Sequence, residues 1–262
     1  MVNSVVIGNC IAVGAGSSPS DSPAAPGYRF TVNTATTDRS SSNADQFKLP
    51  TVSAGSYNAV VLWGDGQSDT ITSYNQSEVT HTYASSGTYT VDIKGSFVGH
   101  SYVGGDAIKV VDLQNWGGTN LTINNTAAFQ GCTNMSISAT DTCTLTGDLS
   151  SCFRSTDITG GLSGWDFTNV TSFASALTGN SNWNEDISSW SIGNCGSFGF
   201  SSTAMSTANY DALLIAWEAQ SVQVAVNFDT SAQYTSGGAA EAARTSLTGK
   251  PNSWRIIDGG PA

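Results

Sequence analysis

The stretch Trp165-Asp166-Phe167-Thr168-Asn169-Val170-Thr171-Ser172-Phe173 returns 25 residues later as Trp190-Ser191-Ile192-Gly193-Asn194-Cys195-Gly196-Ser197-Phe198. Large apolar residues hold the same places in both copies, with Gly, Ser, Thr and Asn between them. Carried toward the N-terminus, the ladder reaches Trp116, 49 residues before Trp165, and sets Leu121, Leu145, Val170 and Cys195 in one column. Phe129 and Phe153 form a second column, each eight positions past its leucine. A period of roughly 20–29 residues with a short strand per unit marks a leucine-rich-type solenoid, whose units bury their apolar columns only by stacking on one another. The spacing predicts about four such coils over 114–206. Recurrence at this period makes Trp116, Trp165 and Trp190 a buried stack rather than an exposed platform for sugar rings.

Upstream, the segments YRFTVNT (28–34), QFKLPTV (46–52), NAVVLWG (58–64), SEVTHTYA (77–84), GTYTVDIKG (87–95) and AIKVVDL (107–113) are separated by Gly, Ser and Asp turns. Short strands at this density predict a β-sandwich. Tyr89, Val91 and Ile93 alternate with Thr88, Thr90 and Asp92, so one face of that strand points inward. Before them, the apolar run Val5 to Val13 leads into AVGAGSSPSDSPAAPG (12–27), in which Pro and Gly frustrate regular pairing. That reads as an attachment arm. Downstream, Tyr210, Leu213, Leu214 and Trp217 fall at helical spacing, followed by VQVAVNF (222–228), the helix candidate GGAAEAARTSLTG (237–249) and WRIIDGG (254–260). Thr207 or Asn209 can cap the first helix with Asp211 in its first turn, and Gly249 and Pro251 stop the second. The expected fold class is therefore mainly β, in four units: an N-terminal arm over 1–27, a β-sandwich over 28–113, a solenoid over 114–206 and a small α/β cap over 207–262.

Composition excludes several functions. Only 11% of the 262 residues are charged, and the balance is −11. An acidic surface repels a phosphate backbone and releases no counterions, so nucleic acid is not an expected partner. No apolar run approaches the roughly 20 residues that span a bilayer, so membrane insertion is not expected either. Thr, Tyr, Trp and Val suit pleated strands, and Gly, Ser and Asn suit turns, a mixture typical of extracellular β-proteins. Met1 to Ser20 contains no Lys or Arg and does not read as a secretory signal. An extracellular composition without that signal points to a virus particle.

Two sets of residues carry family resemblances. Trp63-Gly64-Asp65-Gly66, His81-Thr82-Tyr83 and Gly87-Thr88-Tyr89-Thr90-Val91 resemble the WGDG, HxY and GxYxV elements of the polycystic-kidney-disease (PKD) domain. This resemblance implies an immunoglobulin-like β-sandwich used for spacing and adhesion. The segment from Trp165 to Phe198, centred on Asn182-Trp183-Asn184-Glu185-Asp186-Ile187-Ser188-Ser189-Trp190, resembles the leucine-rich-like repeats of BspA-type bacterial surface proteins. Here Trp183 stands where that family has Phe, and Phe173 and Phe198 where it has Met; the part from Trp116 to Gly164 departs further. The tail from Thr207 is similar to the α/β endings of such arrays in phage and marine bacterial surface proteins. Together these imply a surface-exposed binding role.

Chemistry is sparsely equipped. The two histidines, His81 and His100, both fall in the sandwich, with no nucleophile elbow, metal-ligand spacing, Walker loop or dinucleotide fingerprint nearby. Asp65 and Asp69 fall short of the six to eight oxygens calcium takes. Glu185, Asp186, Asp157 and Asp166 could pair for glycoside cleavage, but Asp residues at solenoid turns more often cap them. The five cysteines (Cys10, Cys132, Cys143, Cys152, Cys195) are scattered without a CxxC pair, and read as small buried residues rather than a disulfide such as Cys132 to Cys152. Taken together, the sequence predicts no catalytic, cofactor-binding or metal-binding residue. The expected function is that of a non-enzymatic bacteriophage virion surface protein, a head decoration, fibre or tail adhesin. The arm would engage other virion proteins, the solenoid a cell-surface glycan or protein, and the chain a symmetric homo-oligomer. A secreted bacterial surface adhesin and a glycan-cleaving phage depolymerase are the alternatives.

Overall fold

The computed structural model describes residues 27–262, so the expected arm over 1–27 lies outside the described residues except for Gly27. The chain is mainly β, with several sheets and two α-helices among those residues. The N-terminal part carries β1 (Tyr28–Asn33), β2 (Gln46–Lys48), β3 (Thr51–Leu62), β4 (Ser68–Ile71), β5 (Thr80–Thr82), β6 (Thr88–His100) and β7 (Val110–Asn115). Tyr28, Phe30 and Val32 are buried while Arg29, Thr31 and Asn33 alternate with them on the other face. Strand β1 lies antiparallel to β6 on one side and to β7 on the other. On its opposite edge β6 takes β3, which turns back as a hairpin with β4. The pair β2 and β5 forms a separate antiparallel sheet set against this large one, with Phe47 on Phe30 at 5.7 Å and the His81 ring flat on Trp63 at 4.6 Å.

The next elements are β8 (Gly118–Ile123), β9 (Ser136–Ile137), β10 (Cys143–Leu145), β11 (Gly147–Asp148), β12 (Val170–Ser172) and β13 (Ser197–Phe200). All their pairings are parallel. Phe97 of β6 faces Leu121, Thr122 faces Thr144, Gly147 faces Val170 and Phe173 faces Phe198. Leu113 of β7 likewise faces Ile137 of β9. The chain thus climbs one rung, roughly 4.8 Å, for each two dozen residues. The boundary expected after Leu113 falls inside β7, and β6 and β7 themselves supply the first rung.

Two left-handed residues bend the chain sharply at each of three successive rungs. Ala127, Ser151 and Ser175 have φ of 59°, 60° and 53°, and four positions later Gly131, Ser155 and Gly179 have φ of 82°, 56° and 85°. Such angles are free only for glycine, so small residues are all that the corner admits. Between the corners Phe129, Phe153 and Leu177 point inward, their amides donating to the carbonyls of Cys152 (2.7 Å), Ala176 (2.9 Å) and Gly199 (3.1 Å). Just past the second corner Thr156, Asn180 and Thr203 each donate a side-chain bond to a carbonyl three residues back, at 2.9, 3.0 and 2.9 Å. Asn180 also accepts from Thr156 Oγ1 at 2.7 Å, which ties adjacent rungs.

The expected columns hold in part. Phe129 and Phe153 stack with parallel rings at 5.2 Å. Leu145, however, lies opposite Ile123 rather than Leu121, because β10 slips on β8 at a bulge between Cys143 and Thr144. Trp116, Trp165 and Trp190 are all buried, with Trp116 edge-on to Trp165 at 5.0 Å. Trp190 stacks instead on Phe167, at 3.9 Å, which stands between it and Trp165.

The tail contains α1 (Thr207–Glu218), β14 (Asn227–Thr230), α2 (Ala239–Thr248) and β15 (Arg255–Ile257). Ser206 caps α1 by accepting from the Asn209 amide, in place of the expected Thr207 or Asn209; Asp211 instead receives the Thr235 amide at 2.9 Å. Within the expected strand 222–228 only the last two residues pair, because the stretch before them crosses from α1 to the next rung. β14 and β15 extend the parallel ladder, Phe198 facing Phe228 and Phe228 facing Ile256. Asp258, buried to 3% side-chain exposure, takes a bidentate bond from Arg244 (2.6 and 3.1 Å) and one from Tyr210 Oη (2.8 Å), which locks both helices to the end of the chain. No helix among the described residues is long and apolar enough to cross a membrane.

One buried group faces solvent chemistry on unfolding. His100 sits fully buried among Tyr28, Phe97, Tyr102 and Phe129, and neither ring nitrogen has a hydrogen-bond partner among the described residues. Burial pulls its pKa down from 6.5 to about 3. The unfolded chain therefore takes up a proton below about 6.5 that the folded chain refuses, and stability falls with pH from there toward 3 by about 1.4 kcal/mol per pH unit. Urea unfolding at pH 7 and pH 5 should show a loss of about 2 kcal/mol from this group, which His100→Phe abolishes. Separately, Phe153→Ala removes a ring packed on Phe129, Trp116 and Trp165 and should cost about 3–5 kcal/mol in the same assay.

Candidate functional site

Each titratable side chain that the sequence offered for chemistry has a definite place. His81 Nε2 meets Asp65 Oδ2 at 2.8 Å, Asp65 Oδ1 accepts the Gln67 amide at 2.9 Å, and Asp69 Oδ2 accepts Trp63 Nε1 at 2.8 Å. Gly64 and Gly66, with φ of 86° and 92°, make the turn that brings these groups together. Partial burial opposes ionisation of Asp65, but the bonds from His81 and Gln67 outweigh it and hold the carboxyl below its usual range. The constellation clamps the buried Trp63, whose carbonyl also accepts Tyr83 Oη at 3.1 Å. Among the described residues no group of three or more His, Cys, Asp or Glu side chains is placed to hold a metal ion. Cys132, Cys143, Cys152 and Cys195 are free and buried, and burial pushes their thiols up, that of Cys195 to about 12.

Of the four carboxylates weighed for glycoside cleavage, three hold main-chain amides. Asp166 Oδ1 accepts the Thr168 amide and hydroxyl at 2.9 and 2.5 Å, and Asp186 Oδ1 accepts the Ser188 amide at 2.9 Å, so both close local turns. Asp157 is exposed at a left-handed corner with φ of 67°. Glu185 reaches across to the preceding rung and accepts the amides of Gly161, Leu162 and Ser163 at 2.9–3.1 Å. Asp141 does the same nearer the start of the ladder, accepting the amides of Trp116 and Gly117 at 2.8 and 2.9 Å.

A site that sequence reasoning missed lies where the ladder lengthens. From Ser197 to its partner Asn227 the rung takes 30 residues, because α1 is inserted there. The return segment after α1 runs alongside the turn Ser191–Asn194, and the two enclose an open groove of about 540 Å³. Side-chain amides bind the walls together. Gln220 accepts the Ile192 amide (3.0 Å) and donates to Trp190 O (2.9 Å), Gln223 donates to Gly193 O (2.9 Å), and Asn194 donates to Thr168 O (2.6 Å). A Cβ on Gly193 would stand 3.0 Å from Ser221 O, so glycine sets the groove's width. The helical insertion breaks the spacing that made the earlier rungs readable, and Gln220 and Gln223 carry no periodic signal.

Residues 119–237, which include this groove, are similar to a family described as Mycoplasma protein of unknown function, DUF285. No curated protein and no solved structure matches the chain. The family description assigns no activity and brings none to the groove. For Glu185, the geometry gives a direct expectation: Glu185→Ala strips three amides of their acceptor and should lower stability by about 1–3 kcal/mol, read from the shift of the denaturation midpoint at constant slope.

Proposed function

We propose that the chain is a non-enzymatic bacteriophage virion surface protein, a head decoration, fibre or tail adhesin. In this reading an immunoglobulin-like sandwich of the PKD kind leads into a leucine-rich-type solenoid closed by an α/β cap. One observation carries it: Glu185, Asp166 and Asp186 are engaged in holding main chain, while a groove of neutral side chains stays open on the outside. A surface built from hydroxyls and amides, with 11% charged residues, suits a particle exterior. The parallel pairing of β6 with β8 and β7 with β9 makes the sandwich a stiff base for the solenoid, as a spacer that presents a recognition face requires. The N-terminal segment is assigned to docking on other virion proteins.

The similarity to a family described from Mycoplasma supports a second reading, a bacterial cell-surface adhesin with the same groove turned outward. Gold-labelled antibody against the protein separates the two. On the virion reading it decorates purified phage particles at a fixed position, and deletion of residues 1–27 removes the decoration while the remainder stays folded. Label on uninfected cells with none on any particle refutes the virion assignment and leaves the cell-surface one.

A further inference from the structure

We propose that the groove between Ser191–Asn194 and Gln220–Gln223 is a binding site for an uncharged saccharide. The inference rests on the adhesion reading above and supplies its ligand class. Every side chain that lines the groove is neutral, and the chain as a whole carries −11. A phosphate or carboxylate ligand would find no countercharge there and an unfavourable field around it. The polar atoms left over are uncharged amide and hydroxyl groups. Asn194 and Gln223 each commit one amide N–H to a carbonyl of the neighbouring rung, which orients Asn194 Oδ1 and Gln223 Oε1 as acceptors that receive no hydrogen bond from the described residues. The hydroxyls of Ser191 and Ser221 stand beside them, and Val222, partly buried against the core, supplies an apolar patch between the polar groups.

Oriented acceptors and hydroxyls around a small apolar floor match a ring that presents hydroxyl donors on its rim and C–H groups on its face. The volume falls in the range of about 300–1,000 Å³ that small-ligand clefts occupy. A peptide adding itself as a strand is less well served, because the wall's main chain is already used: Ile192 N by Gln220, Trp190 O by Gln220 and Gly193 O by Gln223. All seven tryptophans are buried, so recognition here works through hydrogen bonds, single-site affinity is low, and a multivalent display strengthens it.

The test uses the full chain and polymer-displayed neutral hexose and N-acetylhexosamine di- to tetrasaccharides, with sialylated and sulfated glycans and a random peptide display as contrasts. Binding is expected for a subset of the neutral probes, unchanged between low and high salt. Gln223→Ala and Asn194→Ala should each weaken it about tenfold, as loss of one oriented acceptor implies. Ser191→Trp should abolish it by filling the groove, and thermal unfolding identifies any variant whose loss is one of folding. Neutral probes that bind equally well to Ser191→Trp, binding confined to the charged probes, or binding to the peptide display alone each overturns the assignment. Attachment of the wild-type chain to host cells, measured in parallel, keeps the two readings apart. Attachment that survives in Ser191→Trp sinks the groove and spares the adhesion reading, whereas a wild-type chain that attaches to no cell and binds no probe sinks both.

Discussion

Parallel main-chain pairing between successive rungs is the constraint that the rest of the molecule obeys. It begins where Phe97 meets Leu121 and runs to Phe228 against Ile256. Each rung satisfies the backbone of the one before it, so none can bury its apolar row alone. The amide-to-carbonyl bonds from Phe129, Phe153 and Leu177 hold those side chains in register, and the ring stack of Phe129 on Phe153 follows from that register. The left-handed corners at Ala127, Ser151 and Ser175 are tolerated because the pairing on either side leaves the backbone no other path.

The same pairing joins the two halves of the chain. β6 gives its first half to β1 and its second to β8, and β7 lies between β1 and β9. The aromatic cluster around His100 sits at this join, with Tyr28 and Phe97 from one side and Phe129 from the other. A histidine with no partner among the described residues in such a place costs stability in acid, because burial disfavours its charged form.

Much of this was legible in the residues. The 25-residue return of Trp165 through Phe173 located the rungs that pair Phe173 with Phe198, and alternation in Thr88 to Ile93 marked Val91 and Ile93 as the inward face of β6. What stayed hidden had physical causes. The bulge between Cys143 and Thr144 moved Leu145 two places along β8, and no side-chain pattern announces a bulge. The corner residues recur every 24 positions, but as Ala, Ser and Gly, whose small size hides them from any search for apolar columns. The groove eluded reading because α1 interrupts the period just before Gln220.

The uneven rung lengths carry a further consequence. The interval between paired positions is 24 residues from Phe97 to Leu121 and 30 from Ser197 to Asn227, yet the pairing is parallel in both. The extra chain forms a helix whose buried Tyr210, Leu213, Leu214 and Trp217 join the interior, Trp217 packing on Phe198 and Phe228, while the strand register on either side is kept. The architecture therefore accommodates turns of unequal length, provided that the added chain brings an apolar face of its own to lay against the ladder.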